Sequence, residues 1–234
     1  MAAKILIPLA CILIAFVFGS IPNSLIIGKI YFNQDPRDYG SKNPGSTNSA
    51  RIWGAKAGAL VLTLDILKAV APFWTIWAIL TYSSLNTYLT PDLYSWCIWL
   101  VPLFSVIGHC YSPFLKFNGG KGVATYVGIY GSTSVLQFGC GLISFFATAL
   151  KTKYVSLSSI ILCSCATIIS WILFTVNYFG YTDLVGYMMM ANVLPMSIAY
   201  PISMTVSSLI VILRHMPNIK RLLTHTENKF SLKK

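Results

Sequence analysis

The sequence predicts an all-α integral membrane protein with seven transmembrane segments, some of them short or re-entrant. Of its 234 residues 56% are hydrophobic and only 10% are charged, whereas about 25% of the residues of a soluble domain carry a charge. The hydrophobic residues fall into six blocks typical of membrane helices: residues 5–30, 53–82, 94–107, 123–150, 154–179 and 184–213. The distribution of basic residues between these blocks raises the predicted number of segments to seven.

The first block lies close to the N-terminus and contains a proline. Residues 1–18 resemble a signal peptide, but no small-residue cleavage site follows and the apolar run continues to Ile27. We therefore predict a retained first helix. Pro22 interrupts it after Gly19 and Ser20, and two interpretations stay open: a kink that neighbouring helices heal, or a functional break.

Lys and Arg are absent from residues 83–93 and 180–183 but occur in the other connections and in the tail. Cytoplasmic loops are enriched in basic residues. If the block 123–150 crosses the membrane twice, with a break at residues 131–133, then all these basic connections are cytoplasmic. We therefore predict an N-terminus outside and a C-terminus in the cytoplasm. About 28 residues are too few for two full crossings, so at least one half must be short or re-entrant.

The chain is predicted to form one membrane domain, residues 1–213, and a basic cytoplasmic tail, residues 214–234, that contributes to the site. Its net charge is +11, from 17 Lys and Arg against 6 Asp and Glu. Because the basic residues lie between and after hydrophobic blocks, they indicate membrane lipids and phosphorylated substrates as partners, and no nucleic acid. The six cysteines lie in or beside apolar stretches without metal-ligand spacing, so we expect neither disulfides nor a metal site.

The first loop is rich in glycine, hydroxyl and amide groups and leads into a helix. Its candidate ligands for a phosphorylated substrate are Ser41, Asn43, Gly45, Thr47, Asn48 and Arg51. Glycines let backbone N–H groups approach phosphate oxygens, and polar or basic groups at a helix N-terminus form an anion site. The alternative is an ordinary solvated loop. The placement of the last three residues at the start of a helix favours the anion site.

A second cluster, Gly119-Gly120-Lys121-Gly122, follows the third block. It lacks the spacing of a P-loop, since Val123 follows Gly122, and no strand precedes it, so nucleotide binding is not indicated. What remains is a lysine in a glycine turn that opens a helix and faces a phosphate. The nearby His109 is either a general base or a structural histidine.

Two further groups of polar residues remain. Asp65 and Lys68 lie three residues apart on one face of the second block. Ionisable groups at membrane depth are usually functional or paired, so either the two neutralise each other or Lys68 contacts the substrate. In the tail, the basic residues Arg214, Lys220 and Arg221 are interpreted as a cap on lipid headgroups. His215 and Asn218 are poor headgroup anchors and become candidate site residues.

Taken in order, these motifs resemble the bacterial acyl-phosphate:glycerol-3-phosphate acyltransferases, the PlsY family. The resemblance covers most of the chain: residues 19–22, 40–51, 65–68, 108–114, 119–125, 154–160 and 214–227. The H-x-x-x-x-D dyad of other glycerolipid acyltransferases is absent. Lys42, Ala69 and His225 depart from the family pattern by replacing a glycine, and Ser46 by replacing an alanine. Residues 174–200 also look longer than the family leads us to expect.

The resemblance implies a seven-helix fold with its active site at the cytoplasmic face of a bacterial plasma membrane. It implies transfer of a fatty acyl group from acyl phosphate to the 1-hydroxyl of sn-glycerol 3-phosphate. The products are 1-acyl-glycerol 3-phosphate (lysophosphatidic acid) and phosphate, in a first step of phospholipid biosynthesis without a cofactor. An enzyme that supplies acyl phosphate is the implied functional partner.

The resemblance also assigns roles to the candidate residues. Those implied to hold the phosphoryl group of acyl phosphate are Gly119, Gly120, Lys121 and Gly122, with Ser156 or Ser159. Those implied to hold glycerol 3-phosphate are Ser41, Thr47, Arg51, His215 and Asn218, of which Thr47 is a binding residue and the other four are the catalytic set. The proton acceptor is a substrate phosphate or His215. The competing interpretation is a membrane transporter of an organic phosphate ester that uses the same clusters without chemistry.

Overall fold

The computed structural model describes residues 1–189 and 193–229. In this part of the chain, eleven α-helices follow one another: α1 (Ala3–Gly19), α2 (Asn23–Phe32), α3 (Ser46–Trp53), α4 (Ala55–Tyr82), α5 (Pro91–Cys110), α6 (Val123–Thr133), α7 (Val135–Thr152), α8 (Val155–Tyr178), α9 (Thr182–Met188), α10 (Ala199–Arg214) and α11 (Met216–Leu223). Short 3₁₀ turns lie at Ser84–Tyr88 and Pro113–Leu115. The predicted all-α class is confirmed.

Among the described residues, five segments are long and apolar enough to cross a membrane: Ala3–Phe32, Ala55–Tyr82, Pro91–Leu115, Val135–Thr152 and Val155–Tyr178. A sixth is obtained if α10 and α11, which meet at an angle of 57°, count as one broken span. Helix α6 has 11 residues, so it is about 16 Å long and covers about half of the hydrocarbon core. The chain is therefore a polytopic helical membrane protein. The count of seven segments and the orientation of the termini stay predictions.

The block 123–150 is divided into a short and a long helix. Its break falls at Ser134, one residue beyond the expected position. Ser134 leaves the helical conformation (φ −147°), and its hydroxyl accepts a hydrogen bond from the N–H of Gln137 at 3.2 Å. Such an N-cap satisfies one of the free donors at the start of a helix. Ser134 thus starts α7 within a block that contains no proline.

The block 184–213 is not one continuous helix, contrary to the expectation from hydropathy. Helix α9 ends at Met188 and α10 begins at Ala199, and residues 190–192 of this block lie outside the described part. The indole N–H groups of Trp77 and Trp99 donate to the carbonyls of Val193 at 3.0 Å and Pro195 at 2.7 Å. Tryptophans from α4 and α5 therefore satisfy backbone groups that a helix would bond internally, and hydropathy does not register such partners.

Helices α1 and α5 pack against each other at close range. A Cβ atom on Gly19 would overlap the backbone of Ser105, and one on Gly108 would overlap the carbonyl of Phe16. Small residues allow the backbones of membrane helices to approach. These two glycines fix α5, and with it the loop that follows, against the first helix.

At the helix break before Pro22, side chains from other helices and loops donate hydrogen bonds to the free backbone carbonyls. The hydroxyl of Ser112 donates to the carbonyl of Ser20 at 2.6 Å, and the ammonium group of Lys68 donates to the carbonyl of Ile21 at 2.8 Å. The carbonyls freed by the break therefore have partners, as apolar surroundings require. Of the two interpretations of this motif, the structure shows the healed kink.

The chain reverses direction after α11. His225 adopts φ +56°, its N–H donates to the carbonyl of Leu222 at 3.2 Å, and the N–H of Thr226 donates to that of Arg221 at 2.8 Å. These two bonds form a Schellman motif. The turn brings Glu227 back to α8, where the hydroxyl of Ser156 donates to its carboxylate at 2.8 Å.

Candidate active site

A cavity of about 410 Å³ lies where the first loop, the loop of residues 119–122 (the glycine–lysine loop) and the tail meet. We call it the inner cavity. One end is polar, and the other is lined by apolar side chains of α4, α6, α7 and α8: Leu62, Ile66, Val123, Val127, Phe138, Leu142, Phe145, Phe146 and Leu162. Phe138, Leu142 and Phe145 are four and three residues apart, so they share one face of α7. The inner cavity is shaped for a molecule with a polar head and an apolar chain.

The first loop is organised by Asn48, which is almost fully buried. Its side-chain oxygen accepts from the N–H of Ser41 at 2.8 Å, and its amide nitrogen donates to the carbonyls of Pro36 at 2.9 Å and Tyr39 at 3.1 Å. Three bonds to the loop backbone leave the Asn48 amide little capacity for a substrate. Asn48 therefore holds the loop that presents Ser41, while Thr47 and Arg51 also line the inner cavity.

Lys121 lies at the centre of the polar end. Its ammonium group donates to the side-chain oxygen of Asn218 at 2.7 Å, and the Asn218 amide nitrogen donates to Glu227 at 2.6 Å. Glu227 also accepts from the hydroxyl of Ser156 at 2.8 Å and from Arg221 at 2.7 Å. Because the amide nitrogen faces Glu227, the Asn218 oxygen must face Lys121. The carboxylate of Glu227 thus sets the orientation of Asn218.

Burial and charge shift the pKa values of these groups. Burial lowers the pKa of Lys121 to about 8, against the attraction of the Glu227 carboxylate. Burial alone would raise the pKa of Glu227, but hydrogen bonds from Asn218, Ser156 and Arg221 outweigh it and hold the pKa below its ordinary value. At neutral pH the polar end therefore contains a carboxylate fixed by three donors and a lysine that gives up its proton more easily than usual.

The glycine–lysine loop is held from both sides. The N–H groups of Gly119 and Gly120 donate to the carbonyls of Cys110 and His109, both at 3.1 Å. A Cβ on Gly120 would overlap the imidazole of His109. On the other side, Arg214 donates to the carbonyl of Gly119 at 2.8 Å and to that of Gly120 at 3.2 Å. The carbonyl of Gly120 and the N–H of Lys121 belong to one trans peptide group and point in opposite directions. Because Arg214 binds this carbonyl, the N–H of Lys121 points away from Arg214.

Helix α6 begins directly after this loop. Gly122 precedes it with φ +84°, and no side chain caps its first turn. The free N–H groups of an uncapped helix N-terminus attract anions. The first residues of α6 line the inner cavity together with Lys121, so backbone and side chain offer donors to the same cavity.

His215 follows α10 and is 2% exposed. Its Nδ1 lies 2.8 Å from the carbonyl of Val211. A carbonyl only accepts, so Nδ1 carries the proton and Nε2 has a free lone pair. Burial, with a contribution from the charge of Lys121, lowers the pKa of His215 to about 4. The imidazole is therefore neutral at pH 7, and its Nε2 is able to accept a hydrogen bond from a ligand in the cavity.

Asp65 and Lys68 are buried and form an ion pair at 2.9 Å. Asn23 donates to Asp65 at 3.0 Å, and Lys68 also donates to the carbonyl of Ile21. Lys68 does not line the inner cavity, whereas Asp65 and His109 do. Of the two alternatives, the structure shows mutual neutralisation; the predicted contact of Lys68 with the substrate has no support from its position.

The structure brings most of the predicted site residues together. Those lining the inner cavity are Ser41, Asn43, Gly45, Thr47, Asn48, Arg51, His109, Lys121, Gly122, Ser156, Ser159, His215 and Asn218. Lys68, Gly119 and Gly120 lie outside its lining, the two glycines as supports of the loop. Their individual roles in binding and catalysis stay predictions.

Sequence reasoning missed three residues. Glu227 and Arg221 line the inner cavity, and Arg214 holds the glycine–lysine loop and lies over the ring of Tyr111 at 5.4 Å. Arg214 is therefore not the free headgroup cap that the sequence suggested. The signal for Glu227 was present, because it is the sole acidic residue among residues 214–234. No local signal distinguished Arg214 from the other basic residues of the tail.

Fold and site together define a class of protein: a helical membrane protein whose cavity joins anion-binding groups to an apolar groove. The sequence profile of the glycerol-3-phosphate acyltransferase family matches residues 9–225, and the chain belongs to that family. A glycerol-3-phosphate acyltransferase of Aster yellows witches'-broom phytoplasma (strain AYWB) is 39% identical over 227 residues, which cover 94% of each chain. That of Staphylococcus haemolyticus (strain JCSC1435) is 36% identical over 220 residues, or 93% of this chain and 95% of the relative.

Two solved structures have the same fold. One is PlsY (YgiH), an integral membrane glycerol 3-phosphate acyltransferase, in its glycerol 3-phosphate form. It is 30% identical, with a TM-score of 0.74 and coverage of 96% of both chains. The other is the lysophosphatidic acid form of PlsY (YgiH), at 29% identity, a TM-score of 0.72 and the same coverage. The resemblance to the PlsY family is thus confirmed.

Proposed function

We propose that this protein transfers a fatty acyl group from acyl phosphate to the 1-hydroxyl of sn-glycerol 3-phosphate. The products are 1-acyl-glycerol 3-phosphate and phosphate. The observation that carries the proposal is the inner cavity, which joins the donors around Lys121 and Arg51 to an apolar groove. Family membership and the glycerol 3-phosphate and lysophosphatidic acid forms of the neighbouring structures support the acceptor and the product.

Two phosphate groups need separate sets of donors. For the phosphoryl group of acyl phosphate, the proposed donors are Lys121, the free N–H groups at the start of α6, and the hydroxyls of Ser156 and Ser159. For glycerol 3-phosphate they are Arg51, Ser41, Thr47 and Asn218, while His215 accepts a hydrogen bond from the 1-hydroxyl through Nε2. The acyl chain then extends along the apolar face of α7. Both phosphates lie at the polar end, so their repulsion must be offset by the positive charges of Lys121, Arg51 and Arg221.

The reaction itself needs little from the protein beyond positioning. The 1-hydroxyl oxygen of glycerol 3-phosphate attacks the carbonyl carbon, a new C–O bond forms, and the bond from that carbon to the phosphate oxygen breaks. Phosphate leaves with the electron pair of the broken bond. Because acyl phosphate is already activated, no covalent nucleophile, metal or cofactor is required, and holding the reactants together provides much of the rate enhancement. Nearby donors stabilise the negative charge on the carbonyl oxygen.

The geometry bears on which group takes the hydroxyl proton. Nε2 of His215 carries a free lone pair and lies on the inner cavity, so it can accept a hydrogen bond from the attacking hydroxyl. However, a pKa of about 4 makes it a weak base. A phosphate monoester has a second pKa of about 6 and is the better acceptor. We assign the proton to a substrate phosphate and assign to His215 the orientation of the hydroxyl.

The cellular setting is part of the same proposal. The chain spans a bacterial plasma membrane seven times, with its N-terminus outside and the site at the cytoplasmic face, where both substrates are available. The tail from residue 214 belongs to the site, since it supplies His215, Asn218 and Glu227. A second enzyme must supply acyl phosphate.

The test uses purified protein in detergent with palmitoyl phosphate and glycerol 3-phosphate. We expect phosphate release that requires both substrates, with 1-acyl-glycerol 3-phosphate as product. Lys121→Met should abolish release and leave the melting temperature nearly unchanged, because it keeps the length of the side chain. Lys220→Met, an exposed lysine of α11, is the matched control and should be fully active.

Two outcomes would overturn the proposal. If Lys121→Met turns over normally, Lys121 does not bind the phosphoryl group as proposed. No turnover by folded wild-type protein, with saturable uptake of glycerol 3-phosphate into vesicles, would favour the transporter. In the described part of the chain, the polar site residues gather around the inner cavity, which suits an enzyme better than a transporter.

A further inference from the structure

A second cavity of about 640 Å³ lies beside the inner one. We call it the outer cavity. Its lining comes from the first loop, the segment from the end of α5 to the start of α6, the end of α10, and α11. Five residues line both cavities: Ser41, Asn43, Lys121, Asn218 and Arg221. The hydrogen bond from Lys121 to Asn218 therefore lies on the boundary between the two.

The outer cavity is strongly basic. Its charged lining residues are Arg37, Lys42, Lys116, Lys121, Arg214 and Arg221, and none of its lining residues is acidic. Arg37 pairs with Asp35 and Arg221 with Glu227, while Arg214 is bound to backbone carbonyls. Among the described residues, Lys42 and Lys116 have neither an ion pair nor a side-chain hydrogen bond. Two unneutralised ammonium groups thus face the cavity.

The backbone at these two lysines is unusual. Lys42 has φ +58° and Lys116 has φ +53°, in the left-handed region that glycine adopts at no steric cost. A non-glycine side chain there costs free energy, so glycine can replace either lysine without adding strain. Neither lysine lines the inner cavity. Their side chains therefore add charge to the outer cavity and do not touch the reacting atoms.

We propose that the outer cavity is a second anion site, which binds a phosphomonoester dianion next to the catalytic cavity. The proposal rests on the proposed function, because the dianion that passes to the inner cavity is glycerol 3-phosphate. Lys42 and Lys116 attract it, and Lys121 and Asn218 receive it at the boundary. The same chemistry would also suit the phosphomonoester headgroup of a lipid such as phosphatidic acid.

The expected size of the effect follows from Coulomb's law. A dianion about 7 Å from one ammonium group in water gains about a sevenfold increase in occupancy. Salt screens this attraction over about 10 Å at 0.1 M ionic strength. The lysines should therefore act on the KM for glycerol 3-phosphate, should leave kcat unchanged, and should lose their effect at high ionic strength.

The test compares wild-type protein with Lys42→Gly, Lys116→Gly and the double variant. Glycine suits a positive φ, so folding is preserved and the melting temperature should not fall. Lys153→Gly is the matched control: Lys153 is an exposed lysine with φ +62° that lines neither cavity. Phosphate release is followed in nanodiscs of neutral lipid at low and high salt, with glycerol 3-phosphate varied.

We expect the KM for glycerol 3-phosphate to rise about fivefold in each single variant and more in the double variant. The control should keep the wild-type KM, and the difference should vanish in 1 M salt. If instead the KM is unchanged but inhibition by added phosphatidic acid is lost, the site binds the lipid headgroup. If neither quantity differs from the control, the second anion site is refuted. Inactive wild-type protein would refute the proposed function itself, which distinguishes the two failures.

Discussion

The most informative single substitution is Arg214→Lys. It keeps the charge at the end of α10 but removes the forked shape of the guanidinium group. In the structure that fork spans two adjacent carbonyls, at 2.8 Å to Gly119 and 3.2 Å to Gly120. A lysine headgroup is compact and can serve one of them well. If Arg214 positions the glycine–lysine loop, a lysine that keeps the charge but makes one hydrogen bond will not hold the loop in place.

The magnitude follows from the bonds that are lost. A hydrogen bond to a charged group contributes about 1.5 to 3 kcal/mol, and 1.4 kcal/mol corresponds to a factor of ten. Arg214→Lys loses one such bond, so kcat/KM for acyl phosphate should fall about tenfold. Arg214→Ala loses both, together with the contact to the ring of Tyr111, and should fall about a hundredfold. The mechanism is the displacement of Lys121, which follows Gly120 directly.

The assay is phosphate release with acyl phosphate varied at saturating glycerol 3-phosphate, beside thermal unfolding in the same detergent. Lys220→Ala removes an exposed positive charge six residues further on and serves as the control. Wild-type kcat/KM in Arg214→Lys would refute the positioning role. An equal, small loss in Arg214→Ala and Lys220→Ala would return Arg214 to the role of a headgroup cap.

Three further predictions concern charge and backbone strain. Burial lowers the pKa of Lys121 to about 8, so the free enzyme loses this cation as the pH rises; kcat/KM should fall above about pH 8, and a flat profile to pH 9.5 would contradict the assignment. Asp65→Asn leaves Lys68 buried without its counterion, and thermal or denaturant unfolding should show a loss of about 3 kcal/mol; an unchanged unfolding midpoint would mean that the pair carries no stability. His225→Gly removes a side chain from φ +56° and should raise the free energy of unfolding, measured with denaturant, by about 1 kcal/mol; an unchanged midpoint would mean that His225 is not strained.

Much of the fold could be predicted because hydropathy and charge are local signals. Basic residues on both sides of the block 123–150 indicate a break within it, and the Gly-Ser-Thr sequence at residues 131–133 predicts its position to within one residue of Ser134. The irregular segment before α10 was missed, because Trp77 and Trp99 satisfy its carbonyls from other helices. Such partners have no trace in the local sequence.

The site also has features that the sequence predicts and features that it does not. The residue types that bind phosphate, such as Lys121 among its glycines and Arg51 at a helix start, are visible in sequence because the chemistry demands them. The contacts that these residues make cannot be predicted from the sequence. The two departures at Lys42 and His225 were noted from the pattern, and the structure adds that both have positive φ, which explains why glycine suits those positions.

By itself the sequence determined the class of fold, the family and the chemical groups of the site. These follow from properties that each segment has alone: apolar length, charge and short motifs. Only the tertiary structure decided that Lys68 neutralises Asp65, that Asn48 serves the loop, and that Arg214 and Glu227 hold the groups that face the cavity. The physical reason is that each of these outcomes depends on which partner satisfies a buried polar group, and that partner comes from a distant part of the chain.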